Sequence, residues 1–220
     1  MHPLRKKILS ELILSLGLPF SKLKPKDTES NIFMYHLKQL IADGLVLKDP
    51  EGKYALTFEG KIFADYLSFK SFHPRLQPKI VTMIVCKNRK GELLLYKKKR
   101  QPFLGMITFP FGKIHLGESV LAAASREILE KTGIKGRLEH EGIVYITILQ
   151  GDKILSSMLC HVFAGTSSRS RTLQTTETGE CFWADILSVE ADLMPGMMDV
   201  YKLIQTDSRK LFFQEFTYNL

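Results

Sequence analysis

The chain has 220 residues, 45% of them apolar and 25% charged, which describes a folded protein with room for one ordinary domain and a small one. Its 31 Lys and Arg against 23 Asp and Glu give a formal charge of +8, which favours anionic partners, nucleic acids and nucleotide diphosphates alike. No apolar stretch approaches the roughly 20 residues of a membrane span, and the widely spaced Cys86, Cys160 and Cys181 lack a C-x-x-C pair, which fits buried thiols in a reducing cytoplasm.

Arg5, Lys6 and Lys7 precede an apolar run, but Glu11 interrupts it and no small-residue cleavage site follows before Pro19, so a secretory signal is not expected. Ile8, Leu9, Leu12, Ile13 and Leu16 recur at helical spacing and predict an amphipathic helix over about residues 4–16. A short second helix is expected near Ser21 to Leu23. A longer one, about Glu29 to Asp43, has Phe33, Leu37, Leu40 and Ile41 as its apolar stripe and Gly44 as its stop. Leu45 to Lys48 and Tyr54 to Thr57 flank a polar turn and predict a hairpin, and a last helix is expected over about Phe58 to Phe69. Asn31, Met34, Tyr35 and Lys38 fall opposite the apolar stripe of the third helix. There Asn31 and Tyr35 can bond base edges or phosphates, and Lys38, with Lys53 of the hairpin, can neutralise phosphates. Residues 1–73 nevertheless carry 11 basic and 8 acidic side chains, a net of +3, which is thin for strong electrostatic DNA binding.

The segment Phe69 to Pro78, with Pro74 and Pro78, breaks the helical pattern and separates a first domain, 1–73, from a second, 79–220. Strands are then predicted at Ile80 to Cys86 and Glu92 to Lys97, and a helix at about Ser119 to Lys131 closed by Thr132-Gly133. Further strands are expected at Gly142 to Leu149, Ile154 to Ala164 and Glu180 to Ile186, and a closing helix around Asp199 to Thr206. His161 and Trp183 are read as packing residues of these strands, and His115 as a solvated loop residue. The dense run Lys97-Lys98-Lys99-Arg100 ends a strand that leads toward the Gly112 loop.

Residues 112 to 134, GKIHLGESVLAAASREILEKTGI, carry the most specific pattern. A helix brings positions three and four apart onto one face, so Glu127, Glu130 and position 131 are expected to converge, and carboxylates gathered there can hold a divalent ion. Such an ion neutralises bridging phosphate oxygens and acidifies an attacking water, whose proton a free carboxylate can take. Lys131 stands four residues after Glu127, the favoured orientation for a helical ion pair, and would occupy the carboxylate the metal needs. An ammonium about 4 Å from a divalent ion is repelled by roughly 8 kcal/mol at an effective dielectric of about 20, an upper bound because the lysine stem can swing away. Glu177 and Glu180 are more distant candidates for an extra carboxylate.

This run resembles the Nudix box, G-x5-E-x7-R-E-U-x-E-E-x-G-U with U aliphatic, and matches every fixed position except the second glutamate of the Glu-Glu pair, which is Lys131. The resemblance implies an α/β fold, the Nudix α/β/α sandwich with a mixed sheet, and a Mg²⁺ or Mn²⁺ cofactor. It implies Gly112, Glu127 and Glu130 as metal-site residues, Glu127 also as base, Arg126 as the group that orients the carboxylates and Glu118 as its partner. Lys98, Arg100 and Phe103 ahead of the box are candidates to grip a phosphate or stack on a base. Phe111 replaces a glycine of the usual aromatic-Pro-Gly-Gly entry and is expected to narrow the mouth. The first domain is similar to the winged helix-turn-helix superfamily, carried by YHLKQLIADGLVLKDPEGKYALTFEGK, which implies DNA contact through Asn31, Tyr35, Lys38 and Lys53, or a docking or dimer role.

Two functions follow as expectations. One is a metal-dependent Nudix hydrolase that cleaves a nucleoside diphosphate linked to another moiety, with activity impaired by Lys131. The other is a winged-helix transcription regulator that senses an ADP-ribose-like nucleotide through a degenerate Nudix site and contacts double-stranded DNA. A retired adaptor that binds no nucleotide is the third possibility. A cytoplasmic, non-membrane homodimer is the expected setting for each.

Overall fold

The computed structural model describes residues 1–68, 72–73, 76–167, 173, 175–206 and 211–220. The chain divides into two compact units, Met1–Leu76 and Gln77–Leu220. The expected tether overlaps the boundary, but its residues 69–71, 74 and 75 lie outside the described residues.

In the first unit, α1 (Pro3–Ile13) starts with Pro at its first turn and the His2 ring accepting from the Leu4 N–H. It ends earlier than its periodicity suggests, and Leu16 is fully exposed. A two-residue strand, β1 (Leu18–Pro19), leads into α2 (Phe20–Leu23) and then α3 (Ser30–Ala42). α3 buries Phe33, Leu37 and Leu40 in one core with Ile8, Leu9 and Leu12 of α1 and stacks the buried His36 on the His2 ring, while Ile41 is exposed. Met34, expected on the outer face, packs against this core. Gly44, at φ +73°, stops α3 in the left-handed conformation that glycine adopts without strain. The wing is β2 (Val46–Lys48) and β3 (Lys53–Leu56), and β1 joins it to give the antiparallel order β1-β3-β2. Thr57 caps α4 (Phe58–Tyr66) by accepting from the Gly60 N–H. A Cβ at Gly60 would sit 2.0 Å from the Leu45 carbonyl oxygen, so only glycine lets α4 approach the wing this closely. Three helices, a two-stranded hairpin joined by β1 and a fourth helix follow one another in this unit, an order compatible with the expected winged helix-turn-helix.

The second unit is a mixed sheet between helical layers. Its strands are β4 (Lys79–Asn88), β5 (Leu93–Lys98), β6 (Ile107–Thr108), β7 (Phe111–Lys113), β8 (Leu138–Gln150), β9 (Lys153–Ser167), β10 (Thr175–Thr176), β11 (Gly179–Ala184) and β12 (Phe212–Asn219). The order is β10-β11-β5-β4-β9-β8-β12, parallel at β4–β9 and β8–β12 and antiparallel elsewhere along this path. Side chains alternate across β4. Val81, Met83 and Val85 join a core closed by Met197 and Val200 of α6 (Met197–Gln205), whereas Ile84 and Cys86 join one closed by Ala124 and Ile128 of α5 (Val120–Thr132). The α/β/α sandwich is thus observed. A 3-10 segment, Ile186–Asp192, connects β11 to the loop before α6, and Trp183, partly buried, packs against the core on the α5 side.

One feature of the sheet makes room for the site. β4 and β5 pair only at Lys87↔Leu93 beside their turn. Beyond it they take different partners: β7 pairs with β4 through Val81 to Met83, and β6 with β5 through Tyr96 and Lys97. The loop between β5 and β6 carries Arg100 and Phe103, and β7 carries Gly112, to one place.

Candidate active site

Ser119 fixes the start of α5 by accepting from the Ala122 N–H at 3.2 Å, and Gly133, at φ +70°, fixes its end. Between these caps the helix turns Ala123, Ala124, Glu127 and Ile128 toward the sheet. Glu127 is therefore a carboxylate on the buried face, with its side chain 8% exposed. It lies directly over Gly112: a Cβ there would fall 1.8 Å from the Glu127 carboxyl carbon. Close approach, rather than an unusual φ, is what demands glycine at 112.

Arg126 is the hub of the surrounding ion pairs. Its Nε and second Nη donate to the two oxygens of Glu118 at 2.8 and 2.9 Å, a bidentate clamp, and the same Nη donates to the Lys113 carbonyl at 3.0 Å. Its other Nη donates to Glu127 Oε1 at 2.8 Å and reaches Glu130 at 3.3 Å. Glu118 also accepts from the His115 N–H. Arg126, and to a lesser degree that N–H, hold the Glu118 carboxyl down at about 2, and Glu118 in turn pushes the Arg126 guanidinium above its ordinary value.

The second oxygen of Glu127 belongs to Lys131, whose ammonium donates to it at 2.5 Å and lies 5.5 Å from the centre of the Tyr96 ring. Glu127 and Lys131 thus meet, while Glu130 turns outward, with its side chain 60% exposed. Glu180 pairs with Lys99 at 2.9 Å and brings no carboxylate to this place.

Glu127 and Lys131 form one wall of a cavity of about 360 Å³. Gly112, Phe103, Phe111, Lys98 and Arg100 line it too, so the residues singled out ahead of the box face the same space as its central glutamate. The Lys98 ammonium stands 5.9 Å from the Phe103 ring centre and 5.3 Å from that of Phe111. Lys79 and Lys113 also line the cavity and were not singled out by the sequence. Lys113 was legible as the neighbour of Gly112, but Lys79 arrives from the far end of β4 and left no local signal. A second cavity of about 310 Å³, lined by Val85, Leu93, Ala164 and Ile204 among others, contains none of the box residues.

A divalent cation does not fit this donor set as it stands. Both Glu127 oxygens are taken by cations, Glu130 faces away from the cavity, and no group of three His, Cys, Asp or Glu side chains able to hold a metal occurs among the described residues. The other expected site residues lie in the first unit. Asn31, Tyr35 and Lys38 are exposed on α3, and Lys53 is exposed on the wing with its ammonium 2.7 Å from Glu51. The rings of His161 and His140 touch on β9 and β8, 3.2 Å apart at their nitrogens, outside this cavity. Cys86, Cys160 and Cys181 are free and buried, and burial pushes their thiols up to about 11, 12 and 12. No helix among the described residues is long and apolar enough to cross a membrane.

Over 86 residues the chain is 35% identical to an ADP-ribose pyrophosphatase of Methanocaldococcus jannaschii, a match that takes in 37% of this chain and 50% of that one. The chain thus spans about half the length of that curated relative. Among solved structures, a mutator MutT protein from Bacillus halodurans superposes with a TM-score of 0.51 at 27% identity, covering 64% of this chain and 90% of that one. The NUDIX domain of Shewanella oneidensis NrtR, solved with ADP ribose, has the same fold at a TM-score of 0.51 and 18% identity, covering 68% of this chain and 97% of that one. The model of the NUDIX domain matches residues 77–204, and the chain belongs to that family.

Proposed function

We propose that the protein takes a nucleoside diphosphate linked to another moiety into the cavity beside Gly112, and that it is a slow pyrophosphohydrolase. ADP-ribose is the first compound to test, because the curated relative is an ADP-ribose pyrophosphatase. The observation that carries the reading is the convergence of Lys98, Arg100, Phe103, Phe111, Gly112 and Glu127 on one cavity. Its volume lies within the usual range of small-molecule sites, its cations suit a diphosphate, and its aromatic rings suit a base or sugar.

Hydrolysis adds water across the anhydride. The water oxygen bonds to one phosphorus, the bridging oxygen leaves on the other, and a base takes the proton of the water. Glu127 is the carboxylate that lines the cavity and is our candidate for that base. Arg126 and Lys131 each donate to one of its oxygens, so an attacking water must compete with them for the carboxylate, and a low rate is expected. Nudix hydrolases generally use a divalent ion such as Mg²⁺ or Mn²⁺, which supplies phosphate charge neutralisation; here Lys131 occupies the oxygen such an ion would need. Incubation of the full chain with ADP-ribose, dinucleotides and nucleoside triphosphates, with Mg²⁺ or Mn²⁺, is expected to release monophosphate or pyrophosphate slowly from at least one. Glu127→Gln is expected to reduce that rate by at least about a hundredfold, within the usual range for a general base. Turnover unchanged in the variant, or none across the panel, overturns the hydrolase.

The Lys131–Glu127 pair also favours a second reading, a regulator that binds the nucleotide without cleaving it and passes the signal to the winged helix. That reading expects a DNA mobility shift that changes when ADP-ribose is added, and indifference to the ligand removes it.

A further inference from the structure

The cavity gathers five cationic side chains, Lys79, Lys98, Arg100, Lys113 and Lys131, around one carboxylate, Glu127. Among the described residues only Lys131 of the five forms an ion pair, and its partner Glu127 is already paired with Arg126. The negative charge of the box is therefore internally answered by Arg126 and Lys131, and no carboxylate among the described residues pairs with the remaining four cations: Lys79 donates to the Ser156 hydroxyl at 3.2 Å and Lys98 stands over two aromatic rings. Burial first, and then the mutual repulsion of these groups, lower the pKa of Lys98 and Lys79; Lys98 feels Arg100, Lys79 and Lys131, and Lys79 feels Lys113 and Arg100. Such a cluster is costly when empty and is relieved by a compact anion of high charge.

In a metal-dependent site, the divalent ion lies between the helix carboxylates and the diphosphate and carries two positive charges. Here the ammonium of Lys131 sits against the carboxylate from which that ion would reach the ligand, at the edge of a cavity with four further cations. We propose that Lys131, with its neighbouring cations, replaces the metal, so that the cavity binds the diphosphate of its ligand without a divalent ion. This inference rests on the cavity being the nucleotide site argued above. Lys131 would bridge Glu127 and a phosphate oxygen, with the Tyr96 ring centre 5.5 Å from its ammonium. Lys98, held over Phe103 and Phe111, would meet the phosphates where the apolar part of the ligand begins.

The test is calorimetric titration of the full chain with ADP-ribose, and with ADP as a second probe, in EDTA and again in excess Mg²⁺. Affinity in EDTA is expected to fall within about threefold of that in Mg²⁺, since no metal bridge has to form. Lys131→Met, which removes the charge and keeps much of the stem, is expected to weaken binding in EDTA at least about tenfold, the usual effect of deleting one charge-assisted hydrogen bond. Lys98→Met reads the same cluster away from the helix, and melting curves of both variants verify that they fold. Binding of the parent only when Mg²⁺ is present overturns the inference and leaves the nucleotide site standing. Metal-free binding that neither variant weakens overturns the role given to the two lysines. No binding of either probe, with or without Mg²⁺, overturns the site itself and the inference with it.

Discussion

At the scale of single residues, the box is organised by Arg126 rather than by its glutamates. The guanidinium directs two donors to Glu118, one to the Lys113 carbonyl and the remainder to Glu127 and Glu130, so it ties the loop after β7 to the helix. Glu118 is the partner whose ionisation this geometry most strongly favours, at about 2 against an ordinary 4.5. A carboxylate with a depressed folded-state pKa stabilises the fold at pH values above its unfolded pKa, and that contribution disappears as pH falls through the folded value. Glu118→Gln should therefore lower the melting temperature by its full amount above about pH 4.5, and the gap to the parent should close between about 4.5 and 2. Paired melting curves across that range test this. A gap of constant size down to pH 2 would mean that the bidentate contact contributes shape and no charge. Lys131 is likewise not a passive replacement, since Glu127 without it would keep one oxygen buried with no cation against it.

At the scale of elements, α5 is where sequence and structure agree most closely, and the reason is physical. Ser119 and Gly133 mark its ends by capping chemistry, and the helical period alone brings Lys131 onto Glu127. Which of Glu127 and Glu130 faces the sheet is not a local matter, because both fit the helical spacing. The docking of Ala124 and Ile128 on the sheet decides it, and Glu130 is turned away as a result. Strands β6 and β7 escaped notice because two or three residues carry no periodicity and exist only through their partners on β5 and β4. β12 was missed for a related reason. It pairs in parallel with β8, from Phe212↔Gly142 to Asn219↔Leu149, across a long stretch of chain that no local pattern reports. The cavity depends on these unpredicted strands, so its candidate residues were legible one by one whereas their convergence was not. Because α5 positions Glu127, Arg126 and Lys131 together, its cap is a sensitive point. Ser119→Ala should cost about 1 kcal/mol of stability, the usual value of an N-cap hydroxyl, and should loosen ADP-ribose binding by fraying the turn next to Glu118. Denaturant unfolding and the same titration measure both; loss of neither would show that the helix start is held by packing alone.

At the scale of the whole molecule, the chain joins a Nudix domain to a small helical unit with a three-stranded sheet, and the net charge is spread over both parts in rough proportion to their lengths. Of the formal +8, residues 1–73 hold +3, which is thin for DNA binding, and Lys53 is already engaged by Glu51, which raises its pKa through a hydrogen bond and charge. An exposed pair of this kind contributes little to folding, about 0–1 kcal/mol, so Glu51 acts mainly on what Lys53 is free to contact. If the winged helix meets duplex DNA through α3 and the wing, Lys38→Ala and Lys53→Ala should each weaken binding across unrelated sequences. Each should also reduce the slope of log affinity against log salt by about one, as expected when one phosphate is no longer neutralised. Glu51→Gln should act in the opposite direction and tighten binding, because it releases Lys53 and removes a charge that repels phosphate. Titration of the full chain with a labelled duplex at several salt concentrations separates these outcomes. Three variants indistinguishable from the parent would remove DNA from the account and leave the unit a docking or pairing module, since its net charge is low enough for either use. Opposite signs for Glu51→Gln and Lys53→Ala, by contrast, could not arise from a general change in stability or charge-independent packing, and would locate the wing against phosphate.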